Sequence, residues 1–190
     1  MFIKQLWNRF MRAIGAQRTW SILNGTPVAY DDDGNPYFDF PSYSPGVNYL
    51  RTPVKGVLGP ITVHFQITGL DPVFDFRTNP DNTGLAPSSV RIMIQRKGDQ
   101  MTEFQEFHRF WSRPAFRKLE PGSFTLIATL EPSNWSSVFG KTGDQAQNEF
   151  WATLQDAEYL CLTFGGGSFF GHSVFVPQGN ARFTVKGVVV

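Results

Sequence analysis

From residue 54 onward, apolar and polar side chains alternate with a period of two, and that pattern limits what the chain can fold into. Ile61, Val63, Phe65 and Ile67 alternate with Thr62, His64 and Gln66 up to Gly69. Val90, Ile92 and Ile94 alternate with Arg91, Met93 and Gln95, and Phe124, Leu126, Ala128 and Leu130 alternate with Thr125, Ile127 and Thr129. Leu160, Leu162 and Phe164 form another run, and Ala181, Phe183 and Val185 alternate with Arg182, Thr184 and Lys186. Successive side chains of a strand point to opposite faces, so each run predicts a half-buried strand. Phe104 to Trp111 reads as a less regular aromatic strand. Within this block only residues 145–157 read as a helix, with Phe150, Trp151 and Leu154 on one side. Helices of crossover length are missing between the strands, which argues against a βαβ sheet, and no fixed period suggests a propeller or solenoid. About seven or eight short strands separated by Gly and Pro predict an all-β, antiparallel two-sheet sandwich of jelly-roll type. It spans residues 54–190.

Residues 1–53 are of a different character. Phe2, Ile3, Leu6, Trp7, Phe10, Met11 and Ile14 recur at intervals of three and four, which predicts an amphipathic helix ending near Gly15. A segment this short is marginal as a free helix in water and needs a surface to lie on. Three surfaces suit it: the flank of its own domain, a partner protein, or lipid. Lys4, Arg9 and Arg12 give lipid only a modest electrostatic hold. Polar residues interrupt every turn, unlike the apolar core of a secretory signal, and the stripe is too short to span a bilayer. Next, 28–30 and 37–40 flank Asp31-Asp32-Asp33-Gly34-Asn35-Pro36, which predicts a hairpin with an Asp-Gly tip. Residues 41–53, with Pro41, Pro45 and Pro53, read as an irregular connector in which Tyr43, Val47, Tyr49 and Leu50 can pack. The expected division is a docking arm over 1–53 and a sandwich over 54–190.

Composition narrows the function. With 17 Lys plus Arg against 16 Asp plus Glu there is no general attraction to nucleic acid, and no basic tract supplies a local one. A single cysteine excludes a disulfide scaffold. Phe alone numbers 19 while only 17% of residues are charged, so some aromatic surface is expected to stay exposed.

Three stretches are distinctive: Trp135-Ser136-Ser137-Val138-Phe139-Gly140, Leu162-Thr163-Phe164-Gly165-Gly166-Gly167, and Gly179-Asn180-Ala181-Arg182-Phe183-Thr184-Val185. A strand entering a Gly-rich bend, followed by a last strand of this kind, resembles galactose-binding-like jelly rolls. These include many carbohydrate-binding modules and sandwich domains on phage particles. The resemblance covers roughly residues 54–190 and implies architecture; no individual ligand residue is carried over.

Candidate chemistry is sparse. Asp31, Asp33 and Asn35 place oxygens at alternate positions, as calcium loops do, although Gly34 and Ser42 do not fit an EF-hand. A plain hairpin tip is the preferred reading, so no cofactor is expected, with Ca2+ the weak exception. Gly165-Gly166-Gly167-Ser168 is not followed by the Lys-Ser/Thr of a phosphate loop and reads as a close-packed bend. His64, His108 and His172 lie near no nucleophile elbow, a Ser168–His172 pair has no orienting carboxylate, and Cys161 sits inside an apolar strand as an inert thiol. Glu103, Glu106, Glu120, Glu131 and Glu149 could furnish a hydrolase pair only if the fold brings two together. Trp111, Trp135, Trp151, Phe169 and Phe170, with His172 beside them, are candidates for a glycan platform or an interface, against a competing role in the core.

These readings favour a non-enzymatic structural or interaction protein, expected as a virion-type decoration, fibre or tail component. Its stripe at Phe2, Ile3, Leu6, Trp7, Phe10, Met11 and Ile14 docks on other subunits, and its sandwich meets a cell-surface glycan. It is expected on a particle surface after synthesis in the cytoplasm, with no nucleic-acid partner and no membrane. A free carbohydrate-binding module and a β-sandwich glycan hydrolase or lyase are the alternatives.

Overall fold

The computed structural model describes residues 19–23, 27–44, 46–76, 87–167, 170–171 and 174–190. The docking stripe at Phe2, Ile3, Leu6, Trp7, Phe10, Met11 and Ile14 lies outside them, as do Phe169 and His172. The strands are β1 (Ser21–Leu23), β2 (Ala29–Tyr30), β3 (Pro36–Asp39), β4 (Tyr49–Pro53), β5 (Ile61–Thr68), β6 (Val73–Asp75) and β7 (Ser88–Arg96). They continue as β8 (Arg109–Lys118), β9 (Gly122–Ala128), β10 (Trp135–Ser136), β11 (Ala157–Gly166), β12 (Phe175–Gln178) and β13 (Arg182–Val189). Among the described residues one α-helix, α1 (Gln147–Gln155), sits between β10 and β11.

Two antiparallel sheets form the sandwich: a six-stranded one in the order β1-β4-β11-β7-β8-β10 and a five-stranded one in the order β2-β3-β13-β5-β9. A small ribbon pairs β12 with β6. Within these orders, β3-β13-β5-β9 and β4-β11-β7-β8 interleave first, last and middle strands as a jelly roll does. The inner faces meet through phenylalanine. Phe38 and Phe183 of the five-stranded sheet stand edge-on to Phe164 of the other, with ring centroids 5.2 and 5.1 Å apart. Ile61, Val63, Phe65 and Ile67 of β5 are buried against this layer, each contributing about 1.5–3 kcal/mol of hydrophobic stabilisation.

Three expectations need correction. The arm does not end at residue 53: β3 and β4 are interior strands, β3 bonded to β13 and β4 to β11, so residues 36–53 belong to the sandwich. Phe104–Trp111 is not one strand. Glu103–His108 is a 3-10 turn, and β8 begins at Arg109. The Gln105 side chain accepts from the Gln100 N–H at 2.6 Å and donates to the Gly98 carbonyl at 3.2 Å, which curls the loop before the strand begins. Finally, β7 is buried on both faces rather than one. Its outer side chains Arg91 and Met93 lie under a second apolar layer that includes Tyr49, Trp111, Cys161 and Phe170.

Gly165 and Gly166 of the Gly-rich stretch end β11 rather than forming a bend, but the close packing expected there holds at Gly166. A Cβ on Gly166 would stand 2.3 Å from the Phe76 ring, and one on Gly171 would stand 2.2 Å from Tyr49, so the chain passes flat against both rings.

Candidate functional site

The connections 54–60, 97–108 and 129–156 are tied together at one end of the sandwich. The Val57 N–H donates to the Leu154 carbonyl and the Lys97 N–H to the Asp156 carbonyl, each at 2.9 Å. The Thr153 hydroxyl donates to the Phe107 carbonyl. This pins the 3-10 turn against α1, and with the 137–142 turn the two elements border a shallow, open cleft of about 470 Å3.

Phe107, Lys141, Gln145, Ala146 and Glu149 line the cleft. Phe107 stacks on buried Phe110 at 6.4 Å, which fixes its ring. The Lys141 ammonium lies 5.1 Å from that ring's centroid and 3.7 Å from Glu106 Oε2. Glu106 Oε1 accepts from the Ser137 hydroxyl at 2.8 Å, so this carboxylate is held by two partners behind the lysine. Gln145 Oε1 accepts from the Thr142 N–H at 3.0 Å, which orients the amide. Glu149 stands in the first turn of α1, where the helix dipole favours a negative charge. One aromatic ring, one ammonium, one amide and one carboxylate therefore border a single cleft.

The same elements carry large exposed apolar side chains. Phe104 on the 3-10 turn is 91% exposed, Phe139 on the 137–142 turn 63%, and Trp151 on α1 39%. Leu58, on the adjoining 54–60 loop, is also exposed.

The aromatic residues singled out from the sequence lie elsewhere. Trp135 is fully buried, with its indole N–H donated to the Thr129 carbonyl at 2.8 Å and its ring 6.1 Å from Phe150. Trp111 is buried beside Met93 and Cys161 on the outer face of the six-stranded sheet. Neither presents a ring face to a ligand; both are packing residues, because the jelly roll turns their strands inward or beneath a loop. Phe170 covers the Arg91 guanidinium, 4.1 Å from its ring centroid, while Phe116 approaches it at 4.4 Å. Trp151 alone among the tryptophans considered stands at the cleft end with a partly exposed ring. Of the lining residues only Glu149 was among the sequence candidates. Gln145 lies in the turn before α1 and Glu149 in its first turn, so no helical spacing in the sequence joins them.

The other candidate groups lie outside the cleft. Asp31 accepts from the backbone N–H groups of Asp33 and Asn35 at 3.1 and 2.8 Å and from the Asn35 amide, and Lys186 Nζ lies 3.3 Å from it. Burial works to raise its pKa, but the Asn35 and Lys186 contacts prevail and hold the carboxyl below its usual value. This carboxylate shapes the hairpin tip around Asp31, Asp33 and Asn35. Among the described residues, no three His, Cys, Asp or Glu side chains cluster to hold a metal. His64 Nδ1 meets Thr125 Oγ1 at 2.9 Å, and His108 Nδ1 is buried without a hydrogen-bond partner. Cys161 is fully buried, which pushes its thiol pKa up. No described helix is long and apolar enough to cross a membrane. The sequence matches no protein-family model and no curated protein.

Proposed function

We propose that this chain is a non-catalytic interaction protein: a jelly-roll subunit of a larger particle, of the decoration, fibre or tail kind, that recognises a glycan at its Phe107 cleft. The observation that carries this reading is the grouping of the cleft with Phe104, Phe139 and Trp151 on the same three elements. A pyranose offers an apolar C–H face and a rim of hydroxyls. The Phe107 ring suits the first, while the Gln145 amide, Glu149 carboxylate and Lys141 ammonium suit the second. Small-ligand sites are commonly about 300–1,000 Å3 and combine mostly apolar walls with a few directed polar groups. The sequence stripe at Phe2, Ile3, Leu6, Trp7, Phe10, Met11 and Ile14 supplies a docking element of the helix-in-groove type. The resemblance to sandwich domains on phage particles suggests the kind of particle.

The test is titration of the isotope-labelled full chain with a panel of neutral oligosaccharides, followed by NMR shifts and calorimetry. Shifts should fall on residues 103–108, 137–142 and α1, and Gln145→Ala or Glu149→Ala should abolish them. Leu6→Asp with Phe10→Asp should release the chain from its particle without changing glycan affinity. Cleavage of a bound oligosaccharide, lost in Glu149→Gln, would replace this reading with a hydrolase or lyase. Glycan binding by a chain that copurifies with no particle would replace it with a free module.

A further inference from the structure

Sheet edges expose backbone donors and acceptors, and proteins blunt them with very short strands, charges or proline. Among the described residues, three of the four edges of the two main sheets follow that rule. The six-stranded sheet ends in β1 and β10, of three and two residues, and the five-stranded sheet ends on one side in β2, of two. The part of β8 beyond β10 carries Arg113, Pro114, Arg117 and Lys118. The fourth edge is β9, seven residues long and reading Gly-Ser-Phe-Thr-Leu-Ile-Ala, with no charge and no proline. Among the described residues its backbone bonds only to β5. Ile127 on its outer side is 61% exposed, beside Thr62 and, one strand further, exposed Val189.

We propose that β9 is the self-association strand of this protein, pairing antiparallel with β9 of a second copy about a two-fold axis at Thr125, so that the two five-stranded sheets become continuous. Opposed residues in an antiparallel pair face the same way, which requires the axis to pass through a residue, and only Thr125 brings all seven into register. Phe124 and Leu126 then meet on the core side and Ser123 meets Ile127 outside. The strand is self-complementary, as an isologous interface requires. Charge also favours a second copy as the occupant. The end beyond Gly122 carries Arg117 and Lys118 with Glu120, leaving a positive excess, and the opposite end carries exposed Glu131. The two-fold axis sets these ends against each other at both margins of the new ribbon.

Sedimentation of the full chain over a concentration series tests this directly. The unaltered chain should reach twice its own mass. Thr125→Lys and Thr125→Glu, both at an exposed position, should each remain single, because like charges would face across the axis. Mixing the two variants should restore the dimer, a recovery that misfolded variants could not give. A chain that stays single at every concentration would overturn the proposal. So would a dimer unaffected by Thr125→Lys, or a mixture of the two variants that fails to associate. If both variants lose their circular dichroism, the double variant Ser123→Lys with Ile127→Lys, which sets lysine against lysine on both sides of the axis, takes their place, and an intact dimer in it would overturn the proposal.

Discussion

Gly69, at the end of β5, lies so close to Asn180 that a β-carbon on it would stand 2.0 Å from the Asn180 carbonyl oxygen. The crossing is held from both sides: the Leu70 N–H donates to Asn180 Oδ1 at 3.2 Å and the Asn180 N–H to the Leu70 carbonyl at 3.3 Å. These contacts join the end of β5 to the approach to β13, the neighbour with which it pairs. Gly69→Ala must therefore displace backbone rather than a side chain and should lower stability by about 1–3 kcal/mol. Gly59→Ala, whose methyl would meet nothing within 4 Å, should stay within about 0.5 kcal/mol. Urea unfolding of the two variants separates the outcomes; equal midpoints would contradict the crossing.

The hairpin tip should make the protein acid-sensitive through Asp31. Its folded pKa lies below the ordinary 3.8, so the ionised form is bound more favourably in the native state. The resulting stability is present above the unfolded value and is lost as pH falls through the lower, folded one. Asp31→Asn keeps one acceptor for the backbone but cannot titrate. The unfolding midpoint of the parent should approach that of the variant as the solution is acidified below pH 3.8, while the two differ at neutral pH. A gap that stays constant on acidification would show that the carboxylate is not the responsible group.

The sandwich was legible because burial of one face writes a period of two into the sequence, and β5 shows it without interruption from Ile61 to Thr68. The outer face of β7 was not legible in the same way. Arg91 and Met93 look solvent-facing by pattern, and their cover comes from Trp111 and Phe170, which are distant in sequence. β3 was legible only as one side of a hairpin in the arm, and β4 was absorbed into an irregular connector because Pro41, Pro45 and Pro53 suggest irregular chain. Aromatic content suggested exposed rings without saying which. Trp135 is buried beside Phe150, whereas Phe104 and Phe139, which no periodicity marks, stand in solvent. The cleft was invisible for a related reason: Phe107 and Lys141 meet Glu149 only through tertiary contacts between the 3-10 turn and α1.

Arg91 should tolerate lysine poorly. Its guanidinium lies between the Phe116 and Phe170 rings and donates from Nη1 to the Ser112 and Arg113 carbonyls at 3.3 and 2.7 Å. Burial lowers its pKa to about 10, so it remains charged at neutral pH despite its cover. A lysine keeps the charge but cannot stack flat between two rings or span both carbonyls, and Arg91→Lys should cost about 1–2 kcal/mol. Arg96, partly exposed and paired with Asp156 at 2.7 Å, is the control. There the same exchange should cost about 0–1 kcal/mol, because water competes for the pair. Equal losses in chemical denaturation would place Arg91 outside its aromatic sandwich.

Cys161 should report whether the outer layer of the six-stranded sheet opens. Its side chain lies on the row that runs Arg51, Cys161, Met93 and Trp111 across β4, β11, β7 and β8. It is fully buried, with Gln95 Oε1 at 3.9 Å from the sulfur, and its desolvation disfavours the thiolate that an electrophile needs. The folded chain should therefore resist thiol reagents that label it at once in denaturant. Phe170→Ala removes the ring over Arg91 but none of the strands around Cys161, so labelling should remain slow if each outer residue is shielded by its own neighbours. A large acceleration in that variant would instead mean that the segment bearing Phe170 shields the whole row, with Arg91, Met93 and Cys161 exposed together when it lifts.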